Sequence, residues 1–166
     1  MDSKEDIIAL SILALLAYLI LWPSPIVGAP SHHDLPPISI TEQELNCLAS
    51  NIYWEGRGES LKGRLGIGLV TLNRVKDKAY PNSLCEVVYD PFQFSWYWDG
   101  KSDIPTDKLA YEDAERLAAT LTDPASSIVD FTAGSLFYHA DYVNPYWAAS
   151  LRKTITVGTH IYYARN

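Results

Sequence analysis

The residues best suited to chemistry lie at positions 52–60 of the 166-residue chain, between two segments that both have helical patterns. This stretch contains Glu55, Glu59, Arg57 and two glycines, and a tyrosine and a tryptophan directly precede Glu55. Glycines allow a sharp turn and leave the backbone open to a ligand. A carboxyl group beside aromatic rings is a candidate for a raised pKa and therefore for a general acid. The alternative interpretation is a helix terminus with solvated charges.

Two helices are expected to position Glu55. A Thr41-x-x-Glu44 capping box predicts the start of the first helix, and four apolar side chains then follow on one helical face, namely Leu45, Leu48, Ala49 and Ile52. Glu55 follows this face, so it leaves the last turn from the buried side. Ser60 is a suitable cap for a second helix, which is expected to reach about residue 78. Its inner stripe would be Leu61, Leu65, Leu69, Leu72 and either Val75 or Lys76.

The rest of the chain predicts one more helix and a small sheet. Thr106 or Asp107 can open the third helix, which must end before Pro124. Residues 91–100 alternate aromatic and polar side chains, which predicts an unusual strand that borders a groove. Residues 135–140 predict a short strand, and Gly158-Thr159 connects two further strands in a type II′ hairpin. The predicted fold class is α+β, mainly helical with a small antiparallel sheet.

The composition restricts the classes of protein to consider. A hydrophobic fraction of 48% with five tryptophans is typical of a folded chain. The formal net charge of −7 argues against a nucleic-acid partner, which needs clustered basic residues for its phosphates. Cys47 and Cys85 would form a disulfide in an oxidising compartment, and the alternative is two buried free thiols.

The N-terminus predicts a separate hydrophobic helix. Residues 7–22 are uncharged and apolar on every face. This segment is shorter than the roughly 20 residues that a spanning helix prefers, so it is either an uncleaved membrane anchor or a cleaved signal. An anchor is favoured because Pro30 directly follows the small residues that a signal peptidase would need. Residues 23–37 are a proline-rich linker containing His32 and His33, and the folded domain covers residues 38–166.

A single carboxylate with an aromatic groove suits cleavage of a glycosidic bond. This reaction needs an acid for the leaving oxygen and a flat wall for the sugar. A Ser-His-Asp hydrolase could use Ser95, His139 and Asp141, but no G-x-S-x-G elbow is present. A zinc hydrolase could use His139 and His160, but no H-E-x-x-H spacing supports it.

Seven motifs occur in a specific order along the folded domain: residues 52–59 (IYWEGRGE), 72–75 (LNRV), 85–89 (CEVVY), 93–96 (QFSW), 137–140 (FYHA), 143–148 (VNPYWA) and 158–163 (GTHIYY). Each motif is weak alone, but the ordered set resembles the SleB-type cell wall hydrolases, a spore-cortex-lytic family that is also found in bacteriophages. The resemblance covers about residues 45–165. One departure is Gly56, where the family more often has alanine.

The resemblance implies a lysozyme-like fold that acts on peptidoglycan without a metal or another cofactor. It implies a lytic transglycosylase similar to phage endolysins, or a glycosidase of the muramidase or glucosaminidase type, with Glu55 as the catalytic acid and base. In the transglycosylase route, the 6-hydroxyl of the muramic acid attacks. Glu59 and Arg57 are then expected to be structural residues of the turn, and Cys47 and Cys85 to be structural as well. The candidates for substrate binding are Gln93, Phe94, Ser95, Trp96, Tyr138, His139, Tyr142, Asn144 and Trp147.

Two other functions stay open at this point. The domain could bind peptidoglycan without cutting it, or it could be an amidase or peptidase of the stem peptide. In every case the expected partner is peptidoglycan, and the protein is expected to act as a monomer. Anchored through residues 7–22, the domain would face the periplasm and the cell wall from the inner membrane, and after cleavage of the N-terminus it would be secreted.

Overall fold

Helix α1 (Glu42–Glu55) begins at the predicted capping box and carries the candidate acid at its last residue. The Thr41 side chain accepts a hydrogen bond from the Glu44 amide, and the Glu44 carboxylate accepts one from the Thr41 amide. The structure, a computed structural model, describes residues 40–166. The predicted hydrophobic helix at residues 7–22 and the proline-rich linker at residues 23–37 lie outside the described residues.

Helix α2 (Leu61–Lys76) follows after one turn, with Ser60 as its N-cap. Its predicted inner stripe is correct for Leu69, which is buried, but wrong for Leu61, which is 55% exposed. The glycines of this helix mark close contacts: a Cβ atom at Gly66 would overlap the Tyr162 hydroxyl, and one at Gly68 would overlap Leu121. The missing side chains therefore let neighbouring elements pack directly against the backbone of α2.

The main hydrophobic core lies between α1 and helix α5 (Lys108–Thr122). Asp107 caps α5, as predicted, by accepting a hydrogen bond from the Ala110 amide. The buried side chains of this core are Leu48, Ala49, Ile52, Tyr53, Leu84, Ala114, Leu117 and Ala118. Because Ile52 is fully buried one turn before Glu55, this core fixes the end of α1 that carries the carboxyl group.

The segment between α2 and α5 is helical rather than extended. It contains helix α3 (Leu84–Val88) and the single turn of helix α4 (Ser95–Trp98), so the strand predicted within residues 91–100 is wrong. The reason is a buried contact: the Trp96 indole N–H donates to Asn51 of α1 at 3.1 Å, which turns this ring inward. Cys47 and Cys85 form a disulfide that joins α1 to α3.

The sheet contains strands β1 (Phe137–Ala140), β2 (Arg152–Val157) and β3 (His160–Ala164) in the order β1-β3-β2, all antiparallel. A 3-10 helix (Tyr146–Ser150) precedes β2. The predicted hairpin is confirmed: β2 and β3 pair across Gly158, which has a φ of +59°. Tyr162 and Val157 pack against Val70 of α2, which attaches the sheet to the helices. Within residues 40–166, no helix is long and apolar enough to cross a membrane.

Candidate active site

The Glu55 carboxyl group lies where α1 meets the first strand of the sheet. It is partly buried, and its Oε2 atom accepts a hydrogen bond of 3.1 Å from the Tyr138 hydroxyl. Burial raises the pKa of Glu55, while the Tyr138 hydrogen bond and the positive charge of Arg74 act in the opposite direction. The net effect keeps this carboxyl group protonated to higher pH than an exposed glutamate, as a general acid requires.

Tyr138 is held as a neutral hydrogen-bond donor to Glu55. Burial, reinforced by the nearby Glu55 charge, raises the pKa of Tyr138 well above its usual range. Its ring packs edge-on against His160, with the centroids 5.1 Å apart, and contacts Tyr162 at 5.7 Å. The hydroxyl of Tyr138 therefore has a fixed position from which it orients the carboxyl group.

A cavity of about 530 Å³ opens in front of Glu55. It brings together the end of α1, the segment before and within α4, and strand β1. Its lining residues are Glu55, Arg74, Phe92, Gln93, Phe94, Ser95, Trp98, Asp99 and Tyr138. Five residues named from the sequence thus meet at one site: Glu55, Gln93, Phe94, Ser95 and Tyr138.

The other predicted binding residues do not line this cavity. Trp96 is only 9% exposed and is a core residue, stacked on Trp54 at 6.2 Å. His139 follows Tyr138 in β1, so its ring projects from the opposite face of the sheet. There its Nε2 atom lies 3.0 Å from the Tyr163 hydroxyl. Trp147 packs against His139 at 5.5 Å, and Tyr142 and Asn144 are exposed in the following loop. Roles for these residues in substrate binding stay predictions.

Four cavity residues were not among the candidates named from the sequence: Arg74, Phe92, Trp98 and Asp99. The interleaved aromatic pattern at residues 91–100 contained the signal for Phe92 and Trp98. The binding candidates were instead named from the QFSW motif at residues 93–96, which includes Trp96 and not Trp98. Asp99 is a second carboxylate at the same cavity. Lys101 donates to its side chain from both its ammonium group and its amide, which lowers the pKa of Asp99.

Glu59, the second carboxylate of the turn, faces away from this cavity and joins α2 to the hairpin. Its side chain is 7% exposed and accepts hydrogen bonds from the hydroxyl and the amide of Thr159. Burial lowers the pKa of the neighbouring His160, although the negative charge of Glu59 opposes this. A Cβ atom at Gly63 or Gly158 would collide with Glu59. These contacts support the structural role predicted for Glu59.

Arg57 is exposed beside the same turn. Its guanidinium carbon lies 5.4 Å from the centre of the Trp54 ring and 5.7 Å from that of Tyr53. These distances suit a cation–π contact, which fixes the chain directly after Glu55. Among residues 40–166, no group of three His, Cys, Asp or Glu side chains is arranged to hold a metal ion.

A larger cavity of about 870 Å³ lies at the end of α2, next to α3. Three carboxylates line it, namely Asp77, Glu86 and Asp90. Asp77 accepts hydrogen bonds from the Ala79 amide and from Arg165. These contacts lower the pKa of Asp77, so this group is an unsuitable acid. Because the pKa of Glu55 is raised and that of Asp77 is lowered, we place the candidate active site at the smaller cavity, in front of Glu55.

Replacing Tyr138 with phenylalanine is expected to raise the pKa of Glu55 further, because the hydrogen bond that favours the carboxylate is lost. The alkaline limb of the pH profile of kcat/KM should move to higher pH, and the maximum should fall about tenfold with the lost orientation. The matched control is Tyr162→Phe, since the Tyr162 hydroxyl donates to the Gly63 carbonyl and not to Glu55. An unchanged profile in Tyr138→Phe would show that this contact does not set the protonation of the acid.

Comparison with known proteins defines the class of this domain. The model of the cell wall hydrolase family matches residues 58–163, and the chain belongs to this family. The match begins at Gly58, three residues after Glu55, so the role of Glu55 depends on the site geometry and on the motif around it.

Particular relatives are spore cortex-lytic enzymes. That of Bacillus subtilis (strain 168) is 26% identical over 126 residues, which are 76% of this chain and 39% of the relative. That of Bacillus cereus is 26% identical over 127 residues, 76% of this chain and 46% of the relative. The chain therefore spans less than half the length of these curated relatives.

Two solved structures share the fold. The catalytic domain of the Bacillus cereus SleB protein superposes with a TM-score of 0.64 at 22% identity, covering 82% of this chain and 100% of that domain. The catalytic domain of the germination-specific lytic transglycosylase SleB from Bacillus anthracis gives a TM-score of 0.63 at 22% identity. It covers 78% of this chain and 100% of that domain. These similarities confirm the predicted combination of helices with a small antiparallel sheet.

Proposed function

We propose that this domain cleaves the glycan strand of peptidoglycan between its amino sugars by lytic transglycosylation, with Glu55 as general acid and base. The observation that carries the proposal is the Glu55 carboxyl group, whose pKa is raised by burial and which faces a cavity of about 530 Å³. The activity in the name of the Bacillus anthracis relative agrees with this choice.

The reaction uses Glu55 twice. Protonated Glu55 gives its proton to the glycosidic oxygen while the bond from that oxygen to the anomeric carbon breaks, and positive charge develops on the sugar ring. The Glu55 carboxylate then takes the proton of the muramic 6-hydroxyl, whose oxygen forms a bond to the anomeric carbon. This gives a 1,6-anhydro end and restores the protonated acid. Tyr138 donates to the carboxylate form between the two steps.

Asp99 supports an alternative outcome on the same site. Asp99 is a carboxylate at neutral pH, as an ordinary aspartate is, and it can accept a proton from a water molecule, although the contacts with Lys101 lower its pKa and weaken it as a base. Attack by that water would give hydrolysis of the muramidase or glucosaminidase type, with a reducing end in place of the anhydro end. The two outcomes differ in their products, which makes them separable by experiment.

An exposed aromatic pair borders the cavity and suits a sugar ring. Phe92 is 88% exposed and Trp98 is 48% exposed, and their rings stack with centroids 5.8 Å apart. Large apolar rings at this exposure are typical of a binding surface rather than of a core. We assign the pair to the glycan units on one side of the bond that is cut.

Replacing Trp98 with alanine is expected to raise KM for the glycan roughly threefold to tenfold, the effect of one aromatic stacking contact. The value of kcat should change little, because the ring lies at the rim and not at Glu55. Steady-state kinetics on soluble glycan fragments measure both constants. Tyr146→Ala is the matched control, since Tyr146 is 95% exposed and lies outside the cavity. Equal changes of KM in Trp98→Ala and Tyr146→Ala would show that Phe92 and Trp98 are not part of the binding site.

Mass spectrometry of peptidoglycan digested with the purified domain tests the proposed reaction. New anhydro ends are expected. New reducing ends would indicate hydrolysis instead of transglycosylation. New amino termini would indicate an amidase or peptidase. An unchanged sample from a protein that still binds peptidoglycan would indicate a binding module without activity.

We further propose that residues 7–22 anchor the chain in the inner membrane as a single span, with the domain on the side of the cell wall and acting as a monomer. The Cys47–Cys85 disulfide supports an oxidising compartment, because such bonds persist outside the cytosol. A reporter enzyme that works only outside the cytoplasm should be active when it is fused after Asn166. An inactive reporter would contradict this topology.

A further inference from the structure

Arg74 is a buried cation beside the candidate acid that the proposed reaction does not use. It lies in α2 and is only 6% exposed. Its Nε atom donates to the Leu136 carbonyl at 2.8 Å, which fixes one edge of the guanidinium group. Its Nη1 atom is buried and has no hydrogen-bond partner among the described residues. A buried charged donor without a partner is costly to a folded protein, so this atom calls for an explanation.

Two aromatic rings hold the guanidinium group in place. Its carbon lies 5.1 Å from the centre of the Phe94 ring and 5.3 Å from that of Tyr80. Among residues 40–166, the ion pairs involve other cations and not Arg74. The group is therefore rigid, positively charged and without a carboxylate bound to it, which preorganises it for an external oxygen.

The position of Arg74 connects this donor to the reaction. Arg74 lines the same cavity as Glu55 and Tyr138, and its charge acts on both of these groups. A group bound to its guanidinium group would therefore lie close to the bond that Glu55 cleaves. Arginine has donors and no acceptor, so its partner must be an acceptor oxygen, and a carbonyl or carboxylate oxygen gives the strong, charge-assisted contact.

We propose that Arg74 binds an acyl oxygen carried by the sugars at the cleavage site, through its guanidinium group. This inference rests on the proposed function as a glycan-cleaving site. Two substituents of peptidoglycan sugars offer such an oxygen: the N-acetyl carbonyl and the lactyl carboxyl group of the muramic acid. Arg74 thus selects the substituted amino sugars of peptidoglycan over unsubstituted sugars, and it holds the substrate in register with Glu55.

Binding of defined tetrasaccharides tests the proposal without any cleavage. The Glu55→Gln protein is titrated with a muramic-acid-containing fragment, with the same fragment after N-deacetylation, and with a chitin fragment that has no lactyl group. Loss of the group that contacts Arg74 should weaken binding about tenfold to a hundredfold. Weaker binding of the deacetylated fragment identifies the N-acetyl carbonyl, and weaker binding of the chitin fragment identifies the lactyl group. Equal affinities for all three overturn the proposal.

Arg74→Lys in the Glu55→Gln background shows whether Arg74 causes the difference in affinity between the fragments. It should weaken binding of the complete fragment about tenfold and have little effect on the fragment without the contacting group. A uniform loss on all fragments would indicate a merely structural role and overturn the proposal. Arg165→Lys is the matched control, because Arg165 contacts the same Tyr80 ring at 5.8 Å but binds Asp77.

A second measurement does not depend on the stability of the Arg74 variant. In the Glu55→Gln protein with Arg74 intact, the Nε–H resonance of Arg74 should shift on addition of the complete fragment and not on addition of the fragment without the contacting group. No shift with any fragment overturns the inference. If no shift occurs but the wild type still forms anhydro ends, the proposed role of Arg74 is wrong and the proposed reaction stands. A selective shift without any new glycan ends would leave Arg74 as the centre of a binding site and remove the proposed catalysis.

Discussion

Glu55→Gln is expected to reduce the cleavage of purified peptidoglycan by roughly a thousandfold, the range of a lost general acid and base. Glutamine has nearly the same shape and can still accept the hydrogen bond from Tyr138, but it cannot give a proton to the glycosidic oxygen. The decrease in turbidity of a cell wall suspension measures the rate. Glu42→Gln is the matched control, because it makes the same chemical change on the exposed first turn of α1.

The stability of the Glu55→Gln protein shows whether the loss of activity is chemical. Because burial raises the pKa of Glu55 in the folded state, the folded protein holds the proton more tightly than the unfolded chain. The contribution of Glu55 to stability is therefore full below its unfolded pKa and is lost as the pH rises through its folded pKa. Urea unfolding at several pH values should show this loss in the wild type and not in Glu55→Gln. Cleavage by a folded Glu55→Gln protein at the wild-type rate would contradict the assignment.

Replacing both cysteines by alanine, as Cys47→Ala with Cys85→Ala, is expected to lower the free energy of unfolding by about 4 kcal/mol. The disulfide closes a loop with a sequence separation of 38, so its removal increases the entropy of the unfolded chain. It also joins α1, which carries Glu55, to α3, which precedes the cavity segment. A lower urea midpoint measures the loss, and the slope should increase because the unfolded chain without the cross-link is less compact.

Reduction gives an independent control for the disulfide. Wild-type protein treated with a thiol should show the same urea midpoint as the double alanine variant, apart from the small packing difference at Cys47, which is 4% exposed. Molecules that remain folded should retain activity, since neither sulfur lines the cavity of Glu55. A midpoint that neither treatment changes would show that the bond does not form in solution.

Local signals predicted the three long helices and the hairpin, because their causes lie within a few residues, but they missed α3 and α4. The capping box at Thr41 and Glu44 fixes the start of α1, and the positive φ of Gly158 suits the hairpin turn. The neighbours of α2 could not be predicted from such local signals. The glycines of α2 indicated a close neighbour, but the identity of Tyr162 and Leu121 as those neighbours depends on contacts distant in sequence.

In the candidate site, Glu55 could be predicted from the sequence, but several of the residues that line the cavity in front of it could not. Glu55 follows from its place at the end of a capped helix beside aromatic residues, and from the resemblance of its motif. Trp96 and Trp98 are two residues apart, and Trp96 is the buried ring because it packs against Phe94 and Val88 and donates a hydrogen bond to Asn51, contacts that are distant in sequence or depend on the fold. Arg74 belongs to the LNRV motif at residues 72–75, but its buried guanidinium group beside Glu55 depends on the packing of distant elements, which local sequence does not show.

The measurement that most directly tests the central claim is a paired digest of peptidoglycan by the wild type and by Glu55→Gln, with the new glycan ends counted by mass spectrometry. The account predicts anhydro ends that accumulate with the wild type and are reduced about a thousandfold with Glu55→Gln. Equal numbers of new ends from the two proteins, or no new glycan ends from the wild type, would contradict it.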